Sequence, residues 1–306
     1  MLESDLEAAL GLWAETVGGH ASLINVSENH TYRIDAPAGR FILRLHRAGY
    51  QSAPSIRSEL AWLAALQGAL PVAAPLVGSD GEALQVWNDR HLVLFRFEPG
   101  EEPQEDAPLV PLFRVLGRYA ATLHLHDAGW RKPPGFTRMR WMADAILSPQ
   151  GLWGDWRRTP GAGAVQARLM RLEQRLRELL VDESPGRYGL VHSDMRLANL
   201  LVDGDHVTLI DFDDCGYNWY LYDLAASLSL IETRPDLDQL IESWLEGYLP
   251  VRSLDQQDLA LIRPLILLRR MALLAWIGTH ADTDLARRHG RNFAADTAML
   301  ADRLLP

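Results

Sequence analysis

The sequence predicts an α+β protein of two lobes, a small antiparallel-sheet lobe followed by a larger helical one. Three observations predict it. At 306 residues the chain is long for a single hydrophobic core. Apolar residues alternate with period two over much of 21–95, then recur at helical spacing beyond residue 110. Between these regions lies "EPGEEPQEDAP" (98–108), whose Pro, Gly and acidic content suits a linker. The lobes are therefore expected at residues 1–96 and 97–306.

Each element follows from its local pattern. Residues 4–17 carry Leu6, Leu10, Trp13 and Val17 on one helical face. "SLINVSENHTYRID" and "GRFILRLHR" flank the turn "APAG", as a hairpin requires. "SIRSELAWLAALQGAL" reads as a helix with Ser55 as cap, Leu60, Leu63 and Leu66 as buried stripe, and Pro71 as stop. "GEALQVWNDRHLVLFRF" is strand, turn, strand. After the linker, Leu112, Val115, Leu116, Tyr119 and Leu123 mark a helix, 164–181 a second, and much of 223–305 is helical. Two short strands over 190–215 are embedded in this helical half. The loop at 130–162 contains Trp130, Trp141, Trp153 and Trp156, and its length is commoner in functional loops than in connectors. Tryptophans are nonetheless more often core than substrate platform. In "LIRPLILLRRMALLAWIG" the residues Arg263, Arg269 and Arg270 interrupt the apolar run. With Pro264 in a first helical turn, this reads as a buried helix rather than a membrane span.

Composition narrows the function. Hydrophobic content of 48% with 23% charge is that of an ordinary globular protein. A net charge of −10 argues against nucleic-acid partners and anionic membranes, which need a basic footprint. It suits a cationic substrate, although solubility explains it equally well. The acidic, amphipathic start is unlike a signal peptide. The single cysteine, Cys215, excludes an intrachain disulfide, so the expected location is a reducing cytoplasm. Of the 30 basic residues only Lys132 is a lysine, which removes a Walker A loop. Nothing in the sequence specifies an oligomeric state.

Two stretches carry the chemistry. "LVHSDMRLANLLV" (190–202) and "IDFDDCG" (210–216) place carboxylates at the ends of apolar strands, which is costly unless positive or hydrogen-bonding groups meet them. The order is His192, Asp194, Asn199 as H-x-D-x-x-x-x-N, then Asp211 beyond a strand. Phosphoryl transfer uses such a set: one carboxylate receives the proton of the attacking hydroxyl, while an amide oxygen and a second carboxylate hold Mg²⁺ against the phosphates. Mg²⁺ arriving with ATP is then the expected positive partner.

At these residues the sequence resembles the aminoglycoside phosphotransferase/choline kinase-like family, over nearly the whole chain. "VHSDMRLANLLV" looks like its catalytic loop, "VTLIDFDDCG" like its metal-binding segment and "YLYDLA" like the following helix start. "ENHTYRI", "FILRLHR", "RSELAWLAAL" and "HLVLFRFEPG" look like its first strands, helix C and hinge. The resemblance implies a bilobal protein-kinase-like fold, ATP and Mg²⁺ as cofactors, and a hydroxyl acceptor. It implies Asp194 as catalytic base, Asn199 and Asp211 as metal ligands, and Asp223 as brace of the catalytic loop. Asp213 either joins the metal or closes the turn, and His192 bonds backbone. Arg44 stands where protein kinases place lysine, paired with Glu59 as a charged fork for phosphate oxygens. There is no glycine-rich loop, so Ser27, Glu28 and Asn29 are the candidate phosphate covers. Arg96, Phe97 and Glu98 lie where the adenine would meet backbone.

The acceptor is expected to be a small molecule. "YNWYLYDLA" follows "DFDDCG" too closely to leave a peptide-docking segment, and an aromatic, acidic cleft walled by the tryptophan loop suits a compact cation. Asp213, Asp214 and Trp219 are the nearest candidates for acceptor contacts. His124 and His126 fall on different helix faces and read as core or surface rather than as a metal pair. Two rivals remain, and a third fails. A stress-response Ser/Thr kinase of the same superfamily shares every motif. A nucleotide-binding pseudokinase is opposed by the intact Asp194, Asn199 and Asp211. A haloacid dehalogenase-type phosphatase would need a lysine after "LIDFDD", and none follows.

Overall fold

Period-two burial in the first hundred residues builds one antiparallel sheet. The computed structural model describes residues 3–26, 29–181, 183, 184 and 186–305. Ser27 and Glu28, expected near phosphates, lie outside them. The chain forms two compact units. The first contains residues up to Glu101 and takes back two later segments, Arg131–Arg138 and Leu200–Asp213. A single cut at residue 96 misses those returns.

In this first unit β1 (His20–Val26), β2 (His30–Ala36), β3 (Gly39–Leu45), β6 (Arg90–Arg96) and β4 (Pro75–Leu76) lie side by side in that order, with β5 (Leu84–Trp87) also on β6. All pair antiparallel. Asn88 and Asp89 both have positive φ, the conformation of a two-residue hairpin turn between β5 and β6. Phe41, Leu43 and Leu45 face a core shared with Leu6, Leu10 and Trp13 from the N-terminal segment. That segment is helical only over α1 (Glu3–Ala9) and continues as two 3₁₀ turns. The change of pitch takes Val17 off the expected stripe, and it is 60% exposed.

Alternation along β3 turns Arg44 to the opposite side from Leu43 and Leu45. There it meets α2 (Ala53–Leu66), which buries Leu60, Leu63 and Leu66 as the spacing predicts. The cap is Ser52, not Ser55: its Oγ accepts from Ser55 N at 3.3 Å, with Pro54 in the first turn where its missing N–H costs nothing. The hairpin of β9 (Leu200–Asp203) and β10 (His206–Leu209) belongs to this unit rather than to the helical half. Val202 and Glu101 exchange both backbone bonds at 3.0 Å, and Leu209 N donates to Pro71 O at 3.0 Å.

The second unit comprises Glu102–Trp130, Met139–Asn199 and Asp214 onward. Its helix α3 (Val110–Gly129) crosses α7 (Leu237–Tyr248) so closely that glycine is required on both. A Cβ on Gly117 would lie 1.8 Å from Trp244 O, and one on Gly247 1.9 Å from Arg114 O. The loop after α3 is organised by β7 (Met139–Arg140), α4 (Ala143–Leu147) and α5 (Gln166–Leu179), with Trp141 and Trp156 buried and Trp130 and Trp153 half-buried. Trp156 is core: its Nε1 donates to Glu173 at 2.9 Å. A small sheet joins β7, β11 (Gly216–Trp219) and β8 (Tyr188–Val191). The helices α6 (Tyr222–Ser227), α8 (Gln256–Thr279), α9 (Asp284–His289) and α10 (Phe293–Leu304) complete the unit. α8 starts at a capping box of Asp255 and Asp258, so Pro264 falls inside it and not in the first turn. It is buried continuously from Pro264 to Ile277. Among the described residues no helix is long and apolar enough to cross a membrane.

Candidate active site

In the second unit, β8 ends at Val191 and delivers His192–Asn199 as a tight loop. Asp223, in the first turn of α6, accepts from His192 N at 3.2 Å and Ser193 N at 2.8 Å. Two charge-assisted bonds hold Ser193 at φ 67°, a region a β-substituted residue occupies only when its surroundings impose it. His192 acts on backbone as expected, its Nδ1 accepting from Asp194 N at 3.3 Å. Asn199 Nδ2 donates to Asp194 O at 2.8 Å and to Asp194 Oδ2 at 2.7 Å. Arg269 of α8 donates to Asp194 Oδ1 and, at 3.2 Å, to Ser193 O. Arg196 Nε lies 3.3 Å from Oδ2. Burial alone would raise the Asp194 pKa, but Arg269, Arg196 and His192 outweigh it and hold the carboxyl below its usual range.

Behind this loop runs a polar chain with no exposure at its centre. Arg252 Nη1 donates to Tyr248 Oη at 2.9 Å. Tyr248 Oη lies 2.9 Å from His124 Nδ1, and His124 Nε2 lies 3.0 Å from Asp223 Oδ2. A neutral His124 completes it, accepting from the phenol and donating to the carboxylate. Burial lowers the His124 pKa, against the opposing pull of Asp223, which keeps that form. His124 is thus a satisfied core histidine, while His126 is half-buried on another face.

In the first unit the pair foreseen between Arg44 and Glu59 is present, Nη2 to Oε1 at 2.5 Å, with Glu59 fully buried. Arg44 Nη1 also reaches Asp211 Oδ1 at 3.2 Å. Burial opposes the Arg44 charge, but Glu59, Asp213 and Asp211 raise its pKa beyond the ordinary guanidinium value. Asp211 follows β10 with φ 58°, and its side chain is 47% exposed. Asp213 is buried. Its Oδ2 accepts from Asn29 Nδ2 at 2.8 Å, and its carbonyl accepts from Gln51 Nε2 at 3.1 Å and from Arg138. Asn29 is buried too and accepts from Arg47 N at 3.0 Å, so it ties the β1–β2 hairpin to the Asp213 turn. Arg138 also donates to Ser55 O at 2.9 Å in the first turn of α2.

Carboxylate and amide oxygens suit a hard divalent cation. Asp211 offers a half-exposed carboxylate. Among the described residues Asp213 Oδ1 is buried without a hydrogen-bond partner, with His46 Nδ1 at 3.8 Å, too far for one. Asn199 spends its amide nitrogen on the loop, which leaves the oxygen as its donor to a cation. Asp211 and Asp213 in the first unit, and Asn199 in the second, are thus each of a donor type that suits Mg²⁺.

The structure revises the sequence reading in two places, at Trp219 and in where the carboxylates find positive charge. Trp219, a candidate acceptor contact, is 1% exposed and packs edge-on against Tyr188 at 5.6 Å, so it belongs to the core. Asp214 is half-buried, and its carbonyl accepts from Trp141 Nε1 at 2.8 Å. The carboxylates also have positive partners within the protein, Arg269 for Asp194 and Arg44 for Asp211. Arg269 and Arg138 were missed as site residues. Arg269 had a signal: a charge inside a long apolar run must have a partner. Arg138 had none. Arg96 is exposed at the end of β6, with Phe97 and Glu98 half-buried after it, and Arg40 covers the Phe97 ring at 4.3 Å.

With this geometry established, comparison with known proteins is direct. Residues 21–265 match the model of the phosphotransferase enzyme family. A solved microcompartment-associated aminopropanol kinase is 37% identical, with a TM-score of 0.89 over 99% of this chain and 97% of that one. Amicoumacin kinase of Bacillus subtilis is 27% identical over 81% of this chain and 76% of its own. Stress response kinase A of Salmonella paratyphi A is 26% identical over 83% and 76%. The kinase-like α+β fold and the family are thereby shown: the chain belongs to the phosphotransferase enzyme family.

Proposed function

We propose that this phosphotransferase moves the γ-phosphoryl group of ATP, taken up with Mg²⁺, to the hydroxyl of a small amine-bearing molecule of amino-alcohol type. One observation carries the reading: Asp194 is a nearly buried carboxylate with both oxygens held, on a loop that Asp223 fixes from behind. Such a group is built to orient a hydroxyl and accept its proton, with little reorganisation in the transition state. Asp211, Asn199 and Asp213 would hold Mg²⁺, which when bound offsets charge on the phosphates. Arg44, kept in place by Glu59, would neutralise phosphate oxygens. Asn29 supports the Asp213 turn, and the backbone of Arg96–Glu98 would take the adenine. The amino-alcohol class is supported by the 37% identity to an aminopropanol kinase across nearly the entire chain.

The test is transfer of labelled phosphate from ATP to a panel of 1-amino-2-propanol, ethanolamine, choline, homoserine, sugars and aminoglycosides, with casein as a protein control. Fastest turnover is expected on an amino alcohol. Phosphorylation of casein without small-molecule turnover would replace this reading by the stress-response protein kinase. ATP binding with no transfer to any acceptor would replace it by a pseudokinase.

A further inference from the structure

α8 is buried without a break from Pro264 to Ile277, yet it contains two adjacent arginines, Arg269 at 1% and Arg270 at 3% exposure. Each needs a reason. Arg270 has a local one. It pairs with Glu232 at 2.7 Å, donates to Thr297 Oγ1 at 3.0 Å, and lies over the Phe293 ring at 3.6 Å. All of these groups lie on helices or turns away from the 192–199 loop.

Arg269 has a different set of partners. Its Nε donates to Ser229 Oγ at 2.8 Å, its Nη1 to Ser193 O at 3.2 Å and its Nη2 to Asp194 Oδ1. Its guanidinium plane lies 4.8 Å from the Trp153 ring centroid and 5.9 Å from that of Tyr222. Ser229 and the two rings fix the fork, and the fork in turn fixes one carbonyl and one carboxylate oxygen of the loop. Opposite it, Asp223 fixes the two N–H groups of His192 and Ser193. The loop is therefore gripped by an anion on its donors and a cation on its acceptors.

We propose that Arg269 is a positioning residue of the phosphoryl-transfer step, holding the Asp194 carboxylate in its working orientation. This rests on the assignment of Asp194 as the catalytic carboxylate. Asn199 and Arg196 meet Oδ2, so without Arg269 only Oδ2 would be directed by side chains, and the carboxylate could rotate. A misplacement of about 1 Å at a reacting group can cost on the order of 100-fold in rate.

The test compares Arg269→Gln, Arg269→Lys and Arg270→Gln, each alone, and Arg269→Gln combined with Asp194→Asn. The measurements are kcat, KM for ATP and Tm, with the best acceptor from the panel above. Arg269→Gln should lower kcat by roughly 10²-fold while KM for ATP stays within about twofold. Arg269→Lys, with charge but no fork, should fall between. Arg270→Gln should lower Tm as much or more with kcat nearly unchanged, as a purely structural buried pair predicts. In the Asp194→Asn background, Arg269→Gln should add no further loss, because a residue acting through Asp194 has nothing left to position. A kcat within about threefold of wild type in folded Arg269→Gln, or multiplicative losses in the double variant, would overturn the proposal. So would equal kcat losses in Arg269→Lys and Arg270→Gln, which covers the case where Arg269→Gln fails to fold. High residual activity in Asp194→Asn alone would instead overturn the underlying assignment of the catalytic carboxylate.

Discussion

Asp194 and Asp211 are both carboxylates at strand ends, both beside an arginine, and they are built in opposite ways. Asp194 is 8% exposed, with both oxygens and its own backbone engaged. Asp211 is half-exposed, with Arg44 at one oxygen. The group proposed to orient a hydroxyl is held rigid. The group proposed to receive a cation keeps open surface, which gives a ligand access. Each strand is followed two residues on by a positive-φ residue, Ser193 or Asp211, so each loop holds backbone strain at the position where the chemistry is expected.

The largest expected effect separates them on two axes. Asp194→Asn should reduce kcat by ~10²–10⁴. It should also lower Tm, since Arg269 is left buried beside a neutral amide. More than a tenth of wild-type turnover would remove Asp194 from the mechanism. Asp211→Ala should weaken Mg·ATP binding by about 100-fold or more, given that even outer-shell changes cost ~10–100-fold in metal affinity. Its Tm should fall less than that of Asp194→Asn, because Glu59 still holds Arg44. Calorimetry with unchanged Mg·ATP affinity would place the metal elsewhere, and a large Tm loss would erase the contrast between the two aspartates.

A smaller effect is expected at Arg44. Arg44→Ala should weaken ATP by roughly 10-fold, the scale of a charge-assisted hydrogen bond, and leave adenosine affinity unchanged. Equal losses for both ligands would make Arg44 structural.

The smallest effect is one of pH. The grip of Asp223 on the N–H groups of His192 and Ser193 rests on a neutral His124, whose pKa is lowered by burial from the reference value of 6.5. Below that reference the unfolded chain binds a proton that the folded one refuses, so stability is fully present above it and declines as pH falls through it. Tm measured from about pH 7 to pH 5 should drop, and the drop should be shallower in His124→Asn. Parallel profiles for the two proteins would assign the acid sensitivity to another group.

Much of this arrangement was legible in the sequence because it depends on spacing. H-x-D-x-x-x-x-N followed by D-F-D located both aspartates, and the family resemblance supplied the pairing of Arg44 with Glu59. The parts that were not legible depend on tertiary return. Arg138 lies 75 residues before the Asp213 carbonyl it bonds, and Arg269 lies 75 residues after Asp194. No local pattern reports a partner at that separation. Trp219 illustrates the converse error. Its nearness in sequence to "DFDDCG" suggested the site, whereas strand pairing of β11 with β8 placed it against Tyr188. Val17 and Pro264 were misplaced for a simpler reason, since helix boundaries are set by caps and changes of pitch that apolar spacing does not encode.

The scarcity of lysine also has a consequence for covalent chemistry. Lys132 is the sole lysine, and it lies in the Arg131–Arg138 segment rather than on β3. Acylation, by a reagent or by an acetylating enzyme, requires an amine that can lose its proton, and the Arg44 guanidinium cannot do so near neutral pH. The charge proposed to neutralise phosphate is therefore beyond the reach of lysine modification. The same property makes Lys132 a unique side-chain amine, so a fluorophore or surface linker placed there labels one defined position and leaves Arg44 untouched.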